Sequence, residues 1–363
     1  MTDAAVKRLL LVVPVYASYR AFLKGLAAWL TKRGWEVHVA TNLSDSTVEP
    51  DVATIQQIDM PRGANPLQLV KASRQLSALM EEIQPSVVHA HFSVGMLCLA
   101  LAGRVKGVRY LGTFQGMRFP LASGLSSLLF KLVECFSILR LDQSWVLTAD
   151  DFDAVPRYAR KKLAIQEGYG FGCDIEHFDP ARFSEFDNSK LRSTLGIPED
   201  AFVFIFVGRL TEFKGFPLAL AAFQRFRNEC EYVHFVVVGE PDPQHPINLP
   251  DLNSLAGVHH VGWQEDPAPF LAIANSMVFP SEREGVPVCV IEGLSMSVSI
   301  IGLNVRGVSI LVENGVNGFV CDRSVAALFD RMLRVDELRA MCPKQNPQMS
   351  REIFYQFVER SLD

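Results

Sequence analysis

Short, uninterrupted apolar runs alternate along this chain with stretches whose apolar positions recur at helical spacing. The runs at 9–15, 37–40, 87–90, 109–113 and 144–147 have the length and composition of strands buried on both faces. Between them the spacing predicts helices over 22–32, 67–83, 95–104 and 123–139, with Gly34 as the stop of the first. The periodicity breaks in the Gly-, Pro- and acid-rich stretch after Gly168 and then resumes. Strands are predicted at 202–207, 233–238, 258–261 and 277–279, and helices at 217–227 and 267–274, with a further helix starting near Pro287. Alternation of this kind builds a parallel sheet with helices on both faces. The chain therefore reads as α/β, with one Rossmann-like domain over 1–167, a linker over 168–200, a second Rossmann-like domain over 201–340 and a tail over 341–363.

Composition narrows this picture by exclusion. At 363 residues the chain has room for two cores, and 49% hydrophobic with 21% charged residues is globular rather than disordered. A net charge of −5 carries no nucleic-acid footprint. Seven cysteines without CxxC spacing fit a reducing cytosol better than a disulfide framework or a zinc site. The run after Lys7 and Arg8 stops at Pro14, too soon for a signal peptide, and no later run is long enough to span a bilayer. The expectation is a soluble or peripheral protein.

The densest chemistry lies in Ser281-Glu-Arg-Glu-Gly-Val-Pro-Val-Cys-Val-Ile-Glu-Gly293, where a strand runs out and a helix begins. The first N–H groups of that helix, near Val286, Val288 and Cys289, lack intrahelical acceptors and favour an anion, so Gly285, Val286, Pro287 and Val288 form a candidate donor-binding stretch. Glu284 and Glu292 flank the same point. Carboxylates repel a bare phosphate but accept hydrogen bonds from vicinal hydroxyls, so the pairing suits a diphosphate carried between two polyols. Taken alone, a turn-capping Glu284 and a solvated Glu292 account for the stretch more simply, and its company must decide. Arg209 and Lys214, in Gly208-Arg-Leu-Thr-Glu-Phe-Lys-Gly215 after the strand at 202–207, supply a planar fork and a point charge for the same diphosphate.

The first domain has no GxGxxG after its first strand, which argues against dinucleotide binding there. His89 and His91 end one strand without an acidic or Cys partner nearby, as structural or substrate-lining groups rather than metal ligands. Gln115 and Gly116 follow another strand end, as a simple turn or as an amide and bare backbone for a ligand; a carboxamide is no general base. The Leu- and Phe-rich stretch 119–141 reads either as a core helix or as a face that dips into a membrane interface.

Gly208-Arg209, Lys214-Gly215 and the Glu284-x7-Glu292 pair together resemble the retaining glycosyltransferases of family 4. The likeness extends to Val87-Val-His-Ala-His91, Gly172-Cys-Asp-Ile-Glu-His-Phe-Asp-Pro180, Asn304-Val-Arg-Gly307 and Asn314-Gly-Val-Asn-Gly-Phe319. It implies the GT-B fold, two Rossmann-like domains facing across a cleft. Asn65-Pro66, the Gln115-Gly116 turn and Asn304-Val-Arg-Gly307 look most like bacterial enzymes that extend undecaprenyl-diphosphate-linked saccharides. The resemblance implies a UDP-sugar donor, no metal or other cofactor, and a lipid-linked or polysaccharide acceptor at the inner face of the cytoplasmic membrane. Arg209 and Lys214 would hold the diphosphate, Glu292 the ribose and Glu284 the transferred sugar. His91, Gln115 and Gly116 would line the acceptor side. Two departures stand out: Gln115 replaces a His common in relatives, and the tail is short, with 351–362 as the remnant of a crossing helix. A UDP-sugar epimerase and a sugar-nucleotide binder without turnover are the competing readings.

Overall fold

The structure is a computed structural model that describes residues 6–43, 48, 50–61 and 65–362; the outermost bounds of the first domain and of the tail lie outside these residues. The chain divides into two compact units, one of residues 1–170 with 354–363 and one of residues 171–353.

Unit 1 opens with β1 (Lys7–Val15), α1 (Tyr16–Phe22), α2 (Lys24–Thr31), β2 (Trp35–Asn42), β3 (Thr54–Gln57) and α3 (Pro66–Ile83). Asn65 caps α3, its side chain accepting from the N–H groups of Leu67 and Gln68. β4 (Val87–His91), α4 (Phe92–Leu101), β5 (Arg109–Thr113), α5 (Gly124–Arg140), β6 (Gln143–Val146), α6 (Ala149–Ala154), α7 (Arg157–Arg160) and β7 (Leu163–Ile165) follow. All strands pair in parallel in the order β3-β2-β1-β4-β5-β6-β7, so the order reverses between β1 and β4. The strand cores are apolar without alternation because helices cover both faces: Leu9, Leu10, Leu11 and Val12 of β1 are all fully buried.

Unit 2 begins with a short 3₁₀ turn (Pro180–Arg182) and α8 (Glu185–Leu195). It continues through β8 (Phe202–Val207), α9 (Phe216–Arg227), β9 (Val233–Val238), β10 (Val258–Gly262), α10 (Ala268–Ala272), β11 (Ser276–Phe279) and α11 (Val288–Ser295). Last come β12 (Ser299–Leu303), α12 (Arg306–Ser309), β13 (Gly318–Cys321), α13 (Val325–Met332) and α14 (Val335–Ala340). The sheet order is β10-β9-β8-β11-β12-β13, again parallel throughout, with its reversal between β8 and β11. Its core is aromatic: Phe204, Phe206, Phe216, Phe223 and Phe235 are fully buried, and the last two stack at 5.0 Å.

The final helix, α15 (Arg351–Leu362), lies in unit 1 from Phe354 onward. Tyr355 packs against Trp29 at 5.6 Å and Phe357 against Trp145 at 5.4 Å, while the Trp29 indole donates to Glu359 at 3.1 Å. An apolar face on an otherwise charged helix explains the docking: Phe354, Phe357 and Val358 on that face are buried.

Candidate active site

In an open parallel sheet the two loops that leave the carboxyl ends of the strands at the order reversal diverge to opposite faces and leave a crevice. In unit 2 those are the loop after β8, with Arg209 and Lys214, and the loop after β11, with Glu284. Glycines bring them together. Gly215 has φ +72°, and a Cβ there would lie 2.1 Å from the Pro280 carbonyl oxygen. Gly307, of the Asn304-Val-Arg-Gly307 motif, approaches from the next strand, where a Cβ would lie 2.0 Å from the Gly285 carbonyl oxygen.

Lys214 Nζ donates to Glu284 Oε1 at 2.6 Å, and both side chains are largely buried. The Ser281 hydroxyl donates to the same oxygen at 2.6 Å, and Lys214 also lies 5.6 Å from the Phe279 ring centre. Two donors on one oxygen fix the carboxylate and leave the other oxygen for a ligand hydroxyl. The expected residues thus form a coupled pair rather than two separate contacts, which offsets the cost of burying either charge.

α11 begins at Val288, with Pro287 as its N-cap and no side-chain cap. Pro287 sits one residue outside the first turn that its sequence position predicts. Val286 and Pro287 are buried, and the N–H groups of the first turn belong to Val288 and Cys289. Cys289 is no nucleophile: burial pushes its thiol up to about 12. Glu292 stands one turn further on. Burial pushes it from the ordinary 4.5 up to about 7; Asp266 adds to the rise, and Arg351 and His177 oppose it. Asp266 is itself bonded to His177 Nε2 at 2.9 Å.

Arg209 is paired with Asp242, a buried carboxylate just beyond the end of β9, and its guanidinium lies 5.3 Å from the Phe213 ring centre. Burial alone would raise Asp242, but the Gln244 N–H, His245 and Arg209 outweigh it and hold the carboxyl below its ordinary range. Asp242 and His245 escaped the sequence reading, as did His177, Asp266 and Arg351 around Glu292. For Asp242 the signal was present: an acidic residue follows a buried strand at its carboxyl end, where the crevice lies.

Unit 1 holds the other expected residues. His89 and His91 are fully buried at the end of β4, with ring centres 4.3 Å apart. His89 Nε2 bonds to Thr113 Oγ1 of β5 at 2.9 Å, which makes His89 a link between strands. Burial holds His89 down at about 3, and burial with the neighbouring His89 holds His91 well below its usual range, so both are neutral imidazoles at pH 7. Gln115 and Gly116 follow β5, with Gly116 at φ +106°. Both polar atoms of the Gln115 carboxamide are buried with no hydrogen bond among the described residues. Among those residues no three His, Cys, Asp or Glu side chains converge as a metal cage.

Comparison with known proteins reads both units alike. Residues 19–160 match the "Glycosyl transferase 4-like domain" family and residues 201–337 match "Glycosyl transferases group 1". The chain is a glycosyltransferase. It is 26% identical over 338 residues, 92% of its own length and 87% of the relative's, to the putative glycosyltransferase EpsD of Bacillus subtilis. It is 26% identical over 286 residues, 74% of its length and 70% of the relative's, to UDP-Gal:alpha-D-GlcNAc-diphosphoundecaprenol alpha-1,3-galactosyltransferase of Escherichia coli. Its fold matches that of Anabaena Alr3699/HepE in complex with UDP and glucose, with a TM-score of 0.76 at 16% identity over 98% of both chains. The glycosyltransferase has the GT-B fold, built from its seven-stranded and six-stranded parallel α/β units.

Proposed function

We propose that this glycosyltransferase moves a sugar, with retention, from a UDP-sugar to a lipid-linked saccharide in the synthesis of a bacterial surface glycan. The observation that carries the reading is the Lys214–Glu284 pair at the sheet reversal of unit 2, beside the uncapped start of α11. Lys214, Arg209 and the first-turn N–H groups of α11 supply positive charge for a diphosphate, Glu284 an acceptor for hydroxyls of the transferred sugar, and Glu292 an acceptor for the ribose. The named activity of the E. coli relative and the UDP and glucose bound to the Anabaena protein support that donor. The charge that develops on the leaving diphosphate is met by Lys214, Arg209 and α11, so the clamp works without a metal ion.

Gln115 has no useful basicity, so it orients a hydroxyl rather than deprotonating it. The acceptor oxygen bonds to the anomeric carbon on the face from which the sugar–phosphate bond breaks, and the acceptor proton passes to the leaving diphosphate. The product therefore keeps the donor's anomeric configuration.

The acceptor's polyprenyl tail calls for a surface that meets lipid, and α5 presents one. Leu125, Leu128, Leu129 and Leu132 are exposed, Leu125 at 83% and Leu132 at 59%, and Phe136 and Leu139 extend the stripe. Exposed Arg157 and Lys161 lie on and just after α7, which packs against α5, and Lys162 Nζ caps the end of α5 by donating to Leu139 O at 3.0 Å and Leu141 O at 2.7 Å. An apolar stripe with cations on the neighbouring helix suits an anionic bilayer. Phe130 is not part of it, because it packs against the core of unit 1.

The reading is tested by incubating the protein with UDP-sugars and undecaprenyl- or shorter polyprenyl-diphosphate saccharides, with products identified by mass and the new anomeric proton by NMR. A product of inverted configuration sinks the mechanism, and no product with any pair sinks the function. Flotation with anionic vesicles tests the surface: Leu125→Ser with Leu132→Ser should leave a folded protein in the aqueous fraction. Equal flotation of the variant removes α5 as the anchor.

A further inference from the structure

We propose that Glu134 is the positioning residue of the acceptor side, a buried carboxylate that ties the start of α4, beside His91, to the loop after β5 on which Gln115 stands. The inference rests on the acceptor reading of unit 1 given above. Glu134 lies on the face of α5 away from the leucine stripe, among buried Cys135, Ser137 and Ile138. An ionised or even neutral carboxyl placed there needs donors, since an unsatisfied buried one is costly.

Its donors come from the start of α4 and from the loop after β5. From the first turn of α4, the Ser93 hydroxyl donates to Oε1 at 2.8 Å. From the loop after β5, the Arg118 N–H reaches Oε1 at 3.0 Å and Oε2 at 3.2 Å, and the Phe119 N–H reaches Oε2 at 3.2 Å. The loop after β5 belongs to no strand or helix, and the passage from β4 into α4 is under strain, with Phe92 at φ +64° between His91 and Ser93. His91 stands two residues before Ser93, and Gln115 three residues before Arg118. Asp151, also buried, adds a longer contact from its Oδ2 to the Met117 N–H at 3.5 Å.

The chemistry of the contact argues against a merely filled core position. No salt bridge joins Glu134 to a cation among the described residues, and burial raises its carboxyl against the opposing pull of the Arg118 N–H, the Ser93 hydroxyl and the Phe119 N–H. An apolar side chain would pack at that position without desolvating a charge. What the carboxylate adds is a fixed distance between the start of α4 and the loop after β5. Meanwhile the Gln115 carboxamide is buried without a hydrogen bond among the described residues, so the loop is tied by its backbone and its functional group is left for a ligand. The arrangement pre-organises the acceptor side and leaves the donor residues of unit 2 untouched.

Two variants and two readouts decide it. In Glu134→Ala, hydrogen exchange followed by mass spectrometry should rise about tenfold in the segments 91–95 and 113–119 together, and remain unchanged around 208–215 and 284–292. Transfer to the acceptor should fall about a hundredfold, with the KM for the UDP-sugar and its slow hydrolysis by water unaltered. Glu134→Gln should recover part of both effects, because its carbonyl oxygen can still accept the Arg118 and Phe119 N–H groups while its amide faces the Ser93 hydroxyl. If the Ala variant fails to fold, the Gln variant carries the test at roughly a tenfold loss of transfer. Unchanged exchange, loosening of only one of the two segments, or hydrolysis that falls in step with transfer overturns the proposal. If wild-type protein transfers to no acceptor, the acceptor reading has failed, and the exchange measurement alone still decides whether Glu134 holds the two segments.

Discussion

The two units share a topology and use it in opposite ways. In unit 2 the loops at the sheet reversal are charged, and their charges are already paired within the protein: Lys214 with Glu284, Arg209 with Asp242. In unit 1 the ends of β4 and β5 carry neutral groups, two buried imidazoles and a carboxamide, and the buried carboxylates of Glu134 and Asp151 accept from backbone N–H groups of the loop after β5. A diphosphate needs charge that can be redirected on binding, whereas a neutral sugar hydroxyl needs a rigid frame and a few dipoles. The same architecture thus separates electrostatic work from positioning work.

The largest effect that could break this contrast lies in unit 2. Lys214→Ala should lower kcat/KM about a thousandfold and weaken UDP measurably by calorimetry, since it removes charge at the leaving group. Unchanged UDP affinity in a folded variant would remove the clamp. Next in size, Glu284→Ala should spare UDP binding and cost about a hundredfold in turnover, while Glu292→Ala should weaken UDP itself by about tenfold. The reverse pattern exchanges the two roles.

A pH series sharpens the contrast further. Glu292 titrates at about 7 when folded, against an ordinary 4.5, so its protonated form favours the folded, unliganded protein below the lower value, and that contribution is lost as pH rises through 7. Ribose hydroxyls donate to the ionised form, so UDP affinity should rise about tenfold between pH 6 and 8. The part of that rise due to Glu292 should vanish in Glu292→Gln, and a parallel slope in the variant would exclude this carboxyl as the titrating group. The smallest effect belongs to unit 1. Gln115→Ala should lower turnover by about tenfold at most with UDP binding intact, and Gln115→His should be tolerated. Complete loss of turnover in a folded Gln115→Ala would give unit 1 a chemical part rather than a positioning one.

How far the chain could be read depended on the length over which each signal acts. The strand at 109–113 matches β5, and the run at 9–15 matches most of β1, because a strand buried on both faces announces itself by composition alone. The helix expected at 22–32 is α2 at 24–31; α1, over 16–22, precedes it unanticipated, the two parted at Leu23, where the backbone at φ −122° and ψ −11° leaves the helical region. The helix expected from Gly95 starts earlier, at Phe92, whose positive φ turns the chain from β4 into α4 without a connecting loop. β3, β7 and β13 are three or four residues long, too short for a period to register.

By itself the sequence determined the α/β alternation, two cores of that kind, the loops on which Arg209, Lys214, Glu284 and Gln115 stand, and the helix that carries Glu292. These follow from local hydrophobic spacing and from residues placed just after strand ends. Only the tertiary structure decided which of those groups meet. Lys214 and Glu284 are 70 positions apart, and Ser93 and Glu134 are 41 apart. Their partnerships depend on which strands are neighbours at the reversal of each sheet and on glycines that let loop backbones touch. The same holds for α15, whose apolar face is visible in its spacing but whose seat against Trp29 and Trp145 is not. A buried carboxylate or indole takes whichever donor or ring the topology brings within about 3 to 6 Å, and spacing along the chain carries no record of that choice.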